Sequence, residues 1–236
     1  MPHSSKGLRV LLEHPFDSYV EYVPGHHNHT VNPSIEVDEF LHQNILAAMA
    51  GDGCLIKNTP QGTHRLQWNM GNERHAKSKV KRFEKLNPRY REKKNPGFGD
   101  NWFCVSTSCT KILDKYAEAY GDSRCGYKIG KICRELDSVG WAAYFGDDGH
   151  CTVNKGGKRV VQIHTESFSK GEVQEVVDAL IAFIANDGVK VRSYIGGKNK
   201  RALYCVSITT RSAQNEFFKR ISEHMEDGVE YKIKEN

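Results

Sequence analysis

The sequence predicts an α+β protein in which one helix-strand-strand-helix-strand-strand-helix unit occurs twice, as a pseudo-twofold duplication. Three observations predict it. An apolar helical segment ending in Asp-Gly is repeated, a pair of strands broken by a turn follows each copy, and the outgoing strands of the two halves have nearly the same sequence. Since the segments recur in one order, we infer two copies of one unit.

The repeated helical segment is rich in small apolar residues and covers 45–53 (Ile-Leu-Ala-Ala-Met-Ala-Gly-Asp-Gly) and 141–149 (Trp-Ala-Ala-Tyr-Phe-Gly-Asp-Asp-Gly). Small residues on facing sides allow two helices to pack backbone to backbone. Side-by-side packing would bring Asp52 and Asp148, which are 96 residues apart, together at one end of the pair. Two close carboxylates that stay ionised call for divalent metal ions, and paired hard-metal sites suit phosphodiester chemistry.

A hairpin is predicted after each Asp-Gly. Strands over 54–58 and 63–70 are broken by Pro-Gln-Gly, and strands over 151–154 and 159–165 are broken by Lys-Gly-Gly-Lys. The later segments keep the same order in both halves: helices over 72–86 and 170–185, outgoing strands over 102–107 and 203–208, and closing helices over 109–120 and 212–223.

These two copies resemble the signature of the LAGLIDADG homing endonucleases in their single-chain, two-repeat form. The final Asp-Gly of the signature is present in both copies, whereas Ala50 and Gly146 stand where the signature has its first Asp. The resemblance covers 37–236. It implies two antiparallel four-stranded sheets that form a DNA-binding saddle, with the two signature helices at the central seam.

The resemblance divides the chain into an N-terminal extension over 1–36, a first repeat over 37–124 and a second repeat over 125–236, with Gly121–Gly126 as the connector. The extension contains the cluster Gly-His-His-Asn-His over 25–29, which suggests an HNH nuclease as an alternative. No suitable downstream ligand pair at helical spacing follows the cluster, so a surface loop is favoured.

The resemblance also implies an activity. The protein would be a site-specific double-strand DNA endonuclease that recognises a long asymmetric target through its sheets, hydrolyses both strands across the minor groove and leaves short 3′ overhangs. Asp52 and Asp148, helped by the carbonyls of Gly51 and Asp147, would hold Mg²⁺, for which Mn²⁺ or Ca²⁺ could substitute.

A lysine stands near the end of each repeat in the context Tyr-Lys-Ile. Lys128 follows the first aspartate by 76 residues, and Lys232 follows the second by 84. In enzymes of this kind a basic residue at this place lies beside the metals and polarises the attacking water or the developing charge. The resemblance gives this role to Lys128 and Lys232. The alternative is that both are ordinary solvated lysines.

Outward-facing side chains of the predicted strands form the candidate DNA-binding surface. Because strand residues alternate between faces, Leu66, Trp68, Val161 and Ile163 are expected inside and the residues between them outside. Arg, Lys, Gln and Asn can bind base edges and phosphates in the major groove. The candidates are Lys57, Asn58, Arg65, Gln67, Asn69, Arg89, Arg91, Lys93, Lys94, Lys155, Lys158, Arg159, Gln162, His164, Glu166, Arg192, Tyr194, Lys198, Lys200 and Arg201.

Glu166 matches a position where relatives often place a polar residue that orders water, and any single candidate could be merely exposed to solvent. The unlike side chains of the two halves imply an asymmetric target.

Positive charge is concentrated in the segment 72–94. It holds ten lysines and arginines against three glutamates, a larger surplus than the formal +5 of the whole chain. We interpret the segment as a phosphate-contacting face, which would bind DNA less tightly as salt increases. A solvated helix face is the alternative interpretation.

The remaining composition favours a protein of a reducing intracellular compartment. The seven cysteines form no regular disulfide framework, and no secretory segment and no membrane-length apolar run is evident. We expect a double-stranded DNA partner, no membrane, no obligate protein partner and a monomer. Met1 is expected to be the true start, and with no flanking splicing domain an intein origin is disfavoured.

Two other functions stay open beside the endonuclease, which a mobile intron or a free-standing gene would encode. One is an RNA maturase that uses the same scaffold to assist intron splicing. The other is a degenerate DNA-binding regulator, against which the retention of both aspartates and both lysines argues.

Overall fold

The structure is a computed structural model and describes residues 21–23, 32–57, 63–93, 102–122, 126–196 and 201–233. Ahead of the duplicated part, strands β1 (Glu21–Val23) and β2 (Asn32–Ile35) form a two-stranded antiparallel sheet. The histidine cluster of the extension lies outside the described residues.

The first set of elements has the predicted order. It comprises α1 (Glu39–Ala50), β3 (Cys54–Lys57), β4 (His64–Met70), α2 (Glu73–Arg82), a 3-10 turn (Glu84–Leu86), β5 (Arg89–Lys93), β6 (Trp102–Ser106) and α3 (Lys111–Tyr120). The four strands form one antiparallel sheet in the order β3-β4-β6-β5.

The second set repeats this order after one additional helix, α4 (Ile129–Glu135). It comprises α5 (Ser138–Asp148), β7 (Gly149–Val153), β8 (Arg159–His164), α6 (Lys170–Ile184), β9 (Val189–Gly196), β10 (Arg201–Ile208), α7 (Arg211–Ile221) and two 3-10 turns (Ser222–His224 and Glu230–Lys232).

The second sheet has the strand order β7-β8-β10-β9, and all its pairs are antiparallel. This is the order of the first sheet carried over element by element, so the predicted α+β duplication with two four-stranded antiparallel sheets is confirmed. Helix α4 was not predicted, and the boundary between the repeats stays a prediction.

Both signature helices begin at an aspartate side chain. Asp38 Oδ1 accepts a hydrogen bond from the amide of Leu41 before α1, and Asp137 Oδ1 accepts one from the amide of Gly140 before α5, each at 2.9 Å. An N-cap of this kind stabilises a helix by about 1 kcal/mol because it satisfies an amide that has no partner within the helix. The same device therefore starts both copies.

Helices α1 and α5 lie side by side and run in the same direction. Near their beginnings, the amide group of Gln43 donates to the carbonyl of Glu135 and accepts from the amide of Asp137, both at 2.9 Å. At their ends, a β-carbon added to Gly51 would lie only 2.9 Å from the β-carbon of Asp147. The predicted central seam is therefore present, and it is tightest beside the two Asp-Gly pairs.

The faces of the sheets follow the predicted alternation. Leu66, Trp68, Val161 and Ile163 are fully buried. Trp68 packs against Phe83, which directly follows α2, with ring centroids 4.7 Å apart. Helices thus cover one face of each sheet, and the strand residues between these four point to the opposite face.

The basic segment 72–94 divides between these two faces, which corrects the prediction of a single phosphate-contacting face. Helix α2 lies on the covered side, and Lys79 there is only 1% exposed. Arg82 also turns inward, where it donates to Asn44 Oδ1 at 3.0 Å. Arg89 and Arg91, in contrast, are exposed on β5. Lysine content alone does not reveal which side of an amphipathic helix each residue occupies.

Two further observations concern the described residues as a whole. None of the helices there is long and apolar enough to span a membrane. Six cysteines there are free thiols, and three of these, Cys104, Cys133 and Cys205, are buried.

Candidate functional site

The two signature aspartates lie at the same end of the helix pair. Asp52 follows α1 after one glycine, and Asp148 is the last residue of α5. Both are half-buried. The negative charges of these two carboxylates and of the Asp147 carboxylate each raise the pKa of Lys232, as expected for groups near its ammonium. The structure therefore brings Asp52, Asp148 and Lys232 together, although they are far apart in the sequence.

Lys232 contacts the last turn of α5 directly. Its Nζ donates to the carbonyl of Gly146 at 2.7 Å and to the carbonyl of Asp147 at 3.2 Å. Burial lowers the pKa of Lys232, and the three carboxylates only partly offset that effect. An ammonium at the C-terminal end of a helix also interacts favourably with the helix dipole. Lys232 is thus a partly buried cation held beside both aspartates.

Lys128 is held differently. It precedes α4 and is exposed, and its Nζ donates to the carbonyl of Ala119 near the end of α3 at 3.2 Å. The neighbouring Tyr127 is buried, and its hydroxyl accepts a hydrogen bond from the amide of Leu55 at 2.8 Å. Tyr127, the neighbour of Lys128, is therefore bonded to Leu55, which follows Asp52 closely in the sequence. An approach of the Lys128 ammonium to the aspartates stays a prediction.

The surroundings of Asp148 suit a hydrated divalent cation. Asp148 lines a concavity together with Ala50, His164 and Glu166. Two half-buried carboxylates and nearby backbone carbonyls are the hard oxygen donors that Mg²⁺ prefers, and an open site leaves room for its water ligands. The donor set therefore fits the expected metal. The proposed ligand role of the Gly51 and Asp147 carbonyls stays a prediction.

The side chain of Asp147 does not belong to this open site, because it is fully buried in a cluster of charges. Lys79 Nζ lies 2.8 Å from Asp147 Oδ1 and 2.7 Å from Glu226 Oε1. His75 Nε2 lies 3.4 Å from Asp147 Oδ1 and 3.1 Å from Glu226 Oε2. We call these four residues the buried charge cluster.

Protonation in the buried charge cluster follows from competing effects. Burial raises the pKa of Glu226, but Lys79, His75 and Arg82 outweigh it and lower that pKa to about 2. Burial also raises the pKa of Asp147, an effect that Lys79 opposes. Burial lowers the pKa of Lys79, but the two carboxylates raise it above its ordinary value. Glu226 and Lys79 are therefore charged.

Sequence reasoning missed the buried charge cluster. One signal could have indicated half of it: Ala76, Lys79 and Phe83 are spaced like the buried face of a helix, and all three are buried. Nothing local marks Glu226, which lies 147 residues after Lys79.

The exposed face of the first sheet carries most of its predicted DNA-binding residues. Arg65, Gln67, Arg89, Arg91 and Lys93 line one groove. The strand register explains this arrangement, because Gln67 lies opposite Ser106 and Ser106 lies opposite Arg89. Asn69 shares the face and is exposed. Lys57 lies on the other face, opposite His64, because the two-residue period of β3 puts it on the side of Leu55; this corrects its assignment to the DNA-binding set. Asn58 and Lys94 lie outside the described residues.

The exposed face of the second sheet carries a hydrogen-bonded group. Glu166 Oε1 accepts from the Tyr194 hydroxyl at 2.5 Å and lies 2.7 Å from His164 Nδ1. Its hydrogen bond to Glu166 raises the pKa of Tyr194 to about 12. His164 and Arg192 are both paired with Cys205 across the sheet, so they share this face.

The other candidates of the second half are dispersed around this group. Gln162 lies opposite Ser207, on the same face as His164. Lys155 and Lys158 are exposed in the turn between β7 and β8, and Arg201 is exposed at the start of β10. Lys198 and Lys200 lie outside the described residues.

Arg159 is not on the exposed face, which corrects its assignment to the DNA-binding set. It is buried, and its guanidinium donates to Gln214 Oε1 at 3.0 Å and to Asn215 Oδ1 at 2.6 Å. It also lies over the ring of Phe218, 5.0 Å from the centroid. The physical reason is the two-residue period of the strand, which puts Arg159 on the side of Val161 and Ile163.

Comparison with solved structures identifies the fold. The structure of the homing endonuclease I-WcaI bound to its DNA recognition sequence matches with a TM-score of 0.69 and 19% sequence identity, over 84% of this chain and 88% of that chain. The chain has the LAGLIDADG homing endonuclease fold. The structure of I-DmoI in complex with DNA and Ca matches with a TM-score of 0.49 and 16% identity, over 78% of this chain and 91% of that chain. No protein-family model and no curated protein matches the sequence.

Within the LAGLIDADG fold, the buried charge cluster lies at the tightest point of the seam. Asp147 immediately precedes the second signature aspartate, and the equivalent position of the first copy is Gly51. The lack of a side chain at Gly51 leaves the space that the Asp147 β-carbon needs. The two copies of the signature are therefore complementary in size at this position.

Proposed function

We propose that this protein is a site-specific double-strand DNA endonuclease that depends on a divalent metal ion. The observation that carries the proposal is the meeting of Asp52, Asp148 and Lys232 at one end of the helix pair. A phosphodiester is anionic, so its cleavage needs metal ions and hydrogen-bond donors around the transition state. The carboxylates can hold the metal ions, and the partly buried ammonium can act as a donor.

Asp52 and Asp148 would hold Mg²⁺ in this centre. When bound there, the metal would lower the pKa of a water molecule and offset charge on the phosphate. Lys232 would donate a hydrogen bond to the oxygen on which negative charge develops, and the helix carbonyls that now accept from its Nζ fix where it points. Lys128 is proposed to serve the second strand.

Target recognition is proposed to use the exposed faces of both sheets. The first face presents arginine, lysine and glutamine in one groove, and the second presents Gln162, His164, Arg192 and Tyr194. These are side chains that bind phosphates and base edges. Because the two sets differ, each sheet would read a different half-site of an asymmetric target. The matched structure of I-WcaI, which is bound to its DNA recognition sequence, supports a DNA partner.

Selection from a randomised DNA library tests the proposal. The full chain is incubated with the library and Mg²⁺, and cut molecules are recovered and sequenced. We expect one long asymmetric site, cut in both strands with short 3′ overhangs and left uncut when a chelator removes the metal. Mn²⁺ and Ca²⁺ are compared with Mg²⁺ on the recovered site.

Variants of the aspartates link the activity to the site. Asp52→Asn and Asp148→Asn should abolish double-strand cutting but largely preserve DNA binding, whereas Asp187→Asn, at an exposed position after α6, should cut normally. A fully active Asp52→Asn protein would contradict the assignment. Binding of DNA without any cutting would favour a regulator, and selective binding of intron RNA would favour a maturase.

A further inference from the structure

Helix α2 of the first half holds the C-terminal segment 222–233, which carries Lys232. The side-chain Nδ2 of Asn72, the residue just before α2, donates to the carbonyl of Gly228 at 3.0 Å, and Arg74 pairs with Glu230 at 2.9 Å. Arg82 donates to the carbonyl of His224. Contacts thus run along the whole of α2, which belongs to the other half of the duplication.

The contact between α2 and this segment is close at Gly228. Its φ of 90° lies in the left-handed region that favours glycine, and a β-carbon there would lie 2.7 Å from the amide nitrogen of His75. The backbone of the segment therefore passes directly beside the start of α2.

The buried charge cluster lies at the same contact and joins three parts of the chain. Lys79 comes from α2, Asp147 from the last turn of α5 and Glu226 from the C-terminal segment. Because the ammonium bridges two fully buried carboxylates, its removal would leave both without their main counter-charge. The position of each of the three parts therefore depends on Lys79.

Lys232 contacts the backbone of the same turn of α5. Its Nζ donates to the carbonyls of Gly146 and Asp147, while the side chain of Asp147 contacts Lys79. The residue that follows is Asp148. A shift of Asp147 would thus move the anchor of Lys232 and the attachment point of Asp148 together.

Lys128, the lysine of the first Tyr-Lys-Ile motif, is held by different contacts. Helix α6, the counterpart of α2, buries the apolar residues Val173, Val176 and Leu180. Lys128 donates to the carbonyl of Ala119, at the end of α3. A change in the buried charge cluster should therefore disturb the surroundings of Lys232 and leave those of Lys128 in place.

We propose that Lys79, together with Glu226, is a positioning residue for cleavage of one DNA strand. It fixes the last turn of α5 and the segment that carries Lys232, and so sets the geometry at that lysine and at Asp148. The proposal rests on the proposed endonuclease function. A change in this buried ion pair, which lies outside the cleavage centre, should therefore slow the cleavage of one DNA strand more than that of the other.

Strand-resolved cleavage tests this proposal. The full-length Lys79→Met and Glu226→Gln variants are compared with the unmodified chain on the recovered target, with each DNA strand carrying its own label. We expect the rate on one strand to fall about ten- to a hundredfold, as for a misplaced catalytic group. The other strand should stay within about twofold, so that supercoiled plasmid accumulates as the nicked form. Lys219→Met, on the exposed face of α7, is the matched control.

Several outcomes separate positioning from a general structural role. Equal slowing of both strands, in proportion to a lowered melting temperature, would overturn the proposal. Should Lys79→Met fail to fold, Glu226→Gln keeps the shape of the side chain and decides the question through the ratio of the two strand rates. If the unmodified chain cuts no DNA, the proposed function fails first. If it cuts and the variants show no strand bias, only the positioning proposal fails.

Discussion

Gly51 and Asp147 face each other across the seam of the two signature helices with no space to spare. A β-carbon at Gly51 would lie 2.9 Å from both the β-carbon and Oδ2 of Asp147. Asp147 in turn is fixed by its ion pair with Lys79. Neither partner can move away easily, so the seam should tolerate little added volume at this position.

We therefore expect Gly51→Ala to destabilise the protein by about 1 to 3 kcal/mol through overpacking. Urea unfolding measures this, and cleavage of the recovered target should slow as the ends of the helices are pushed apart. Gly71→Ala is the control, because a β-carbon there would have no neighbour within 4 Å. Equal stability of the two variants would show that the seam is less tight than described.

Acid stability should depend on Glu226. Its pKa falls from an ordinary value near 4.5 to about 2, because Lys79, His75 and Arg82 overcome the effect of burial. A carboxyl whose pKa is lowered on folding stabilises the protein above its unfolded pKa and loses that contribution as the pH falls. The contribution amounts to about 3 kcal/mol.

Comparison with Glu226→Gln isolates this effect. Above about pH 5 the unmodified chain should be the more stable of the two, and the difference should shrink as the pH is lowered towards about 2. Denaturant unfolding at a series of pH values measures it. A difference that stays constant over this window would indicate that Glu226 is not held as an anion by the buried charge cluster.

Two arginines on opposite faces should respond differently to the same substitution. Arg91→Met, on the exposed face of the first sheet, should lower the slope of log affinity against log salt by about one, since one phosphate contact is lost. Arg159→Met should leave that slope unchanged and instead reduce stability by about 1 to 3 kcal/mol, because Gln214 and Asn215 lose their buried partner.

Titration of a fluorescent target at several salt concentrations, together with thermal unfolding, measures both effects. A changed salt slope for Arg159→Met would return that residue to the DNA-binding set.

The hydrogen-bonded group on the second sheet should affect sequence preference in one half-site only. Tyr194→Phe removes the hydroxyl that donates to Glu166 Oε1 at 2.5 Å, so that His164 Nδ1 is the remaining partner of the carboxylate within this group. Stability should change by less than about 0.5 kcal/mol, since Tyr194 is exposed. Binding to a panel of targets, each with one base pair changed, should show relaxed preference beneath the second sheet. Relaxation in both half-sites would argue against separate readout.

The architecture was predictable because its signals are local. Each signal lies within a few residues: the Asp-Gly at the end of a helix, the turn residues, and the two-residue spacing of the apolar Leu66 and Trp68. Because the unit is duplicated, each half also supports the interpretation of the other. Arg159 shows where local reasoning fails. Its position beside a glycine turn suggested exposure to solvent. It is buried because it lies two residues before Val161 in the strand, on the same face of the sheet.

The candidate site was predictable in part. Both aspartates and Lys232 were identified from repeated motifs, and the structure brings them together. The partner of Lys79 was not predictable, since Glu226 lies in a segment with no counterpart signal in the first half. Pairing between distant charges is set by tertiary packing, which a single sequence does not display.

The buried ion pair between α2 and the C-terminal segment makes the two halves of the chain depend on each other. Lys79 lies in the first half of the chain and Glu226 in the second, so neither half alone pairs its own buried charge. A hybrid that joins the first half of this chain to the second half of a protein without the acidic residue would bury the Lys79 ammonium without the carboxylate of Glu226. Exchange of whole halves between such proteins is therefore restricted to partners that carry, or acquire together, both members of the pair.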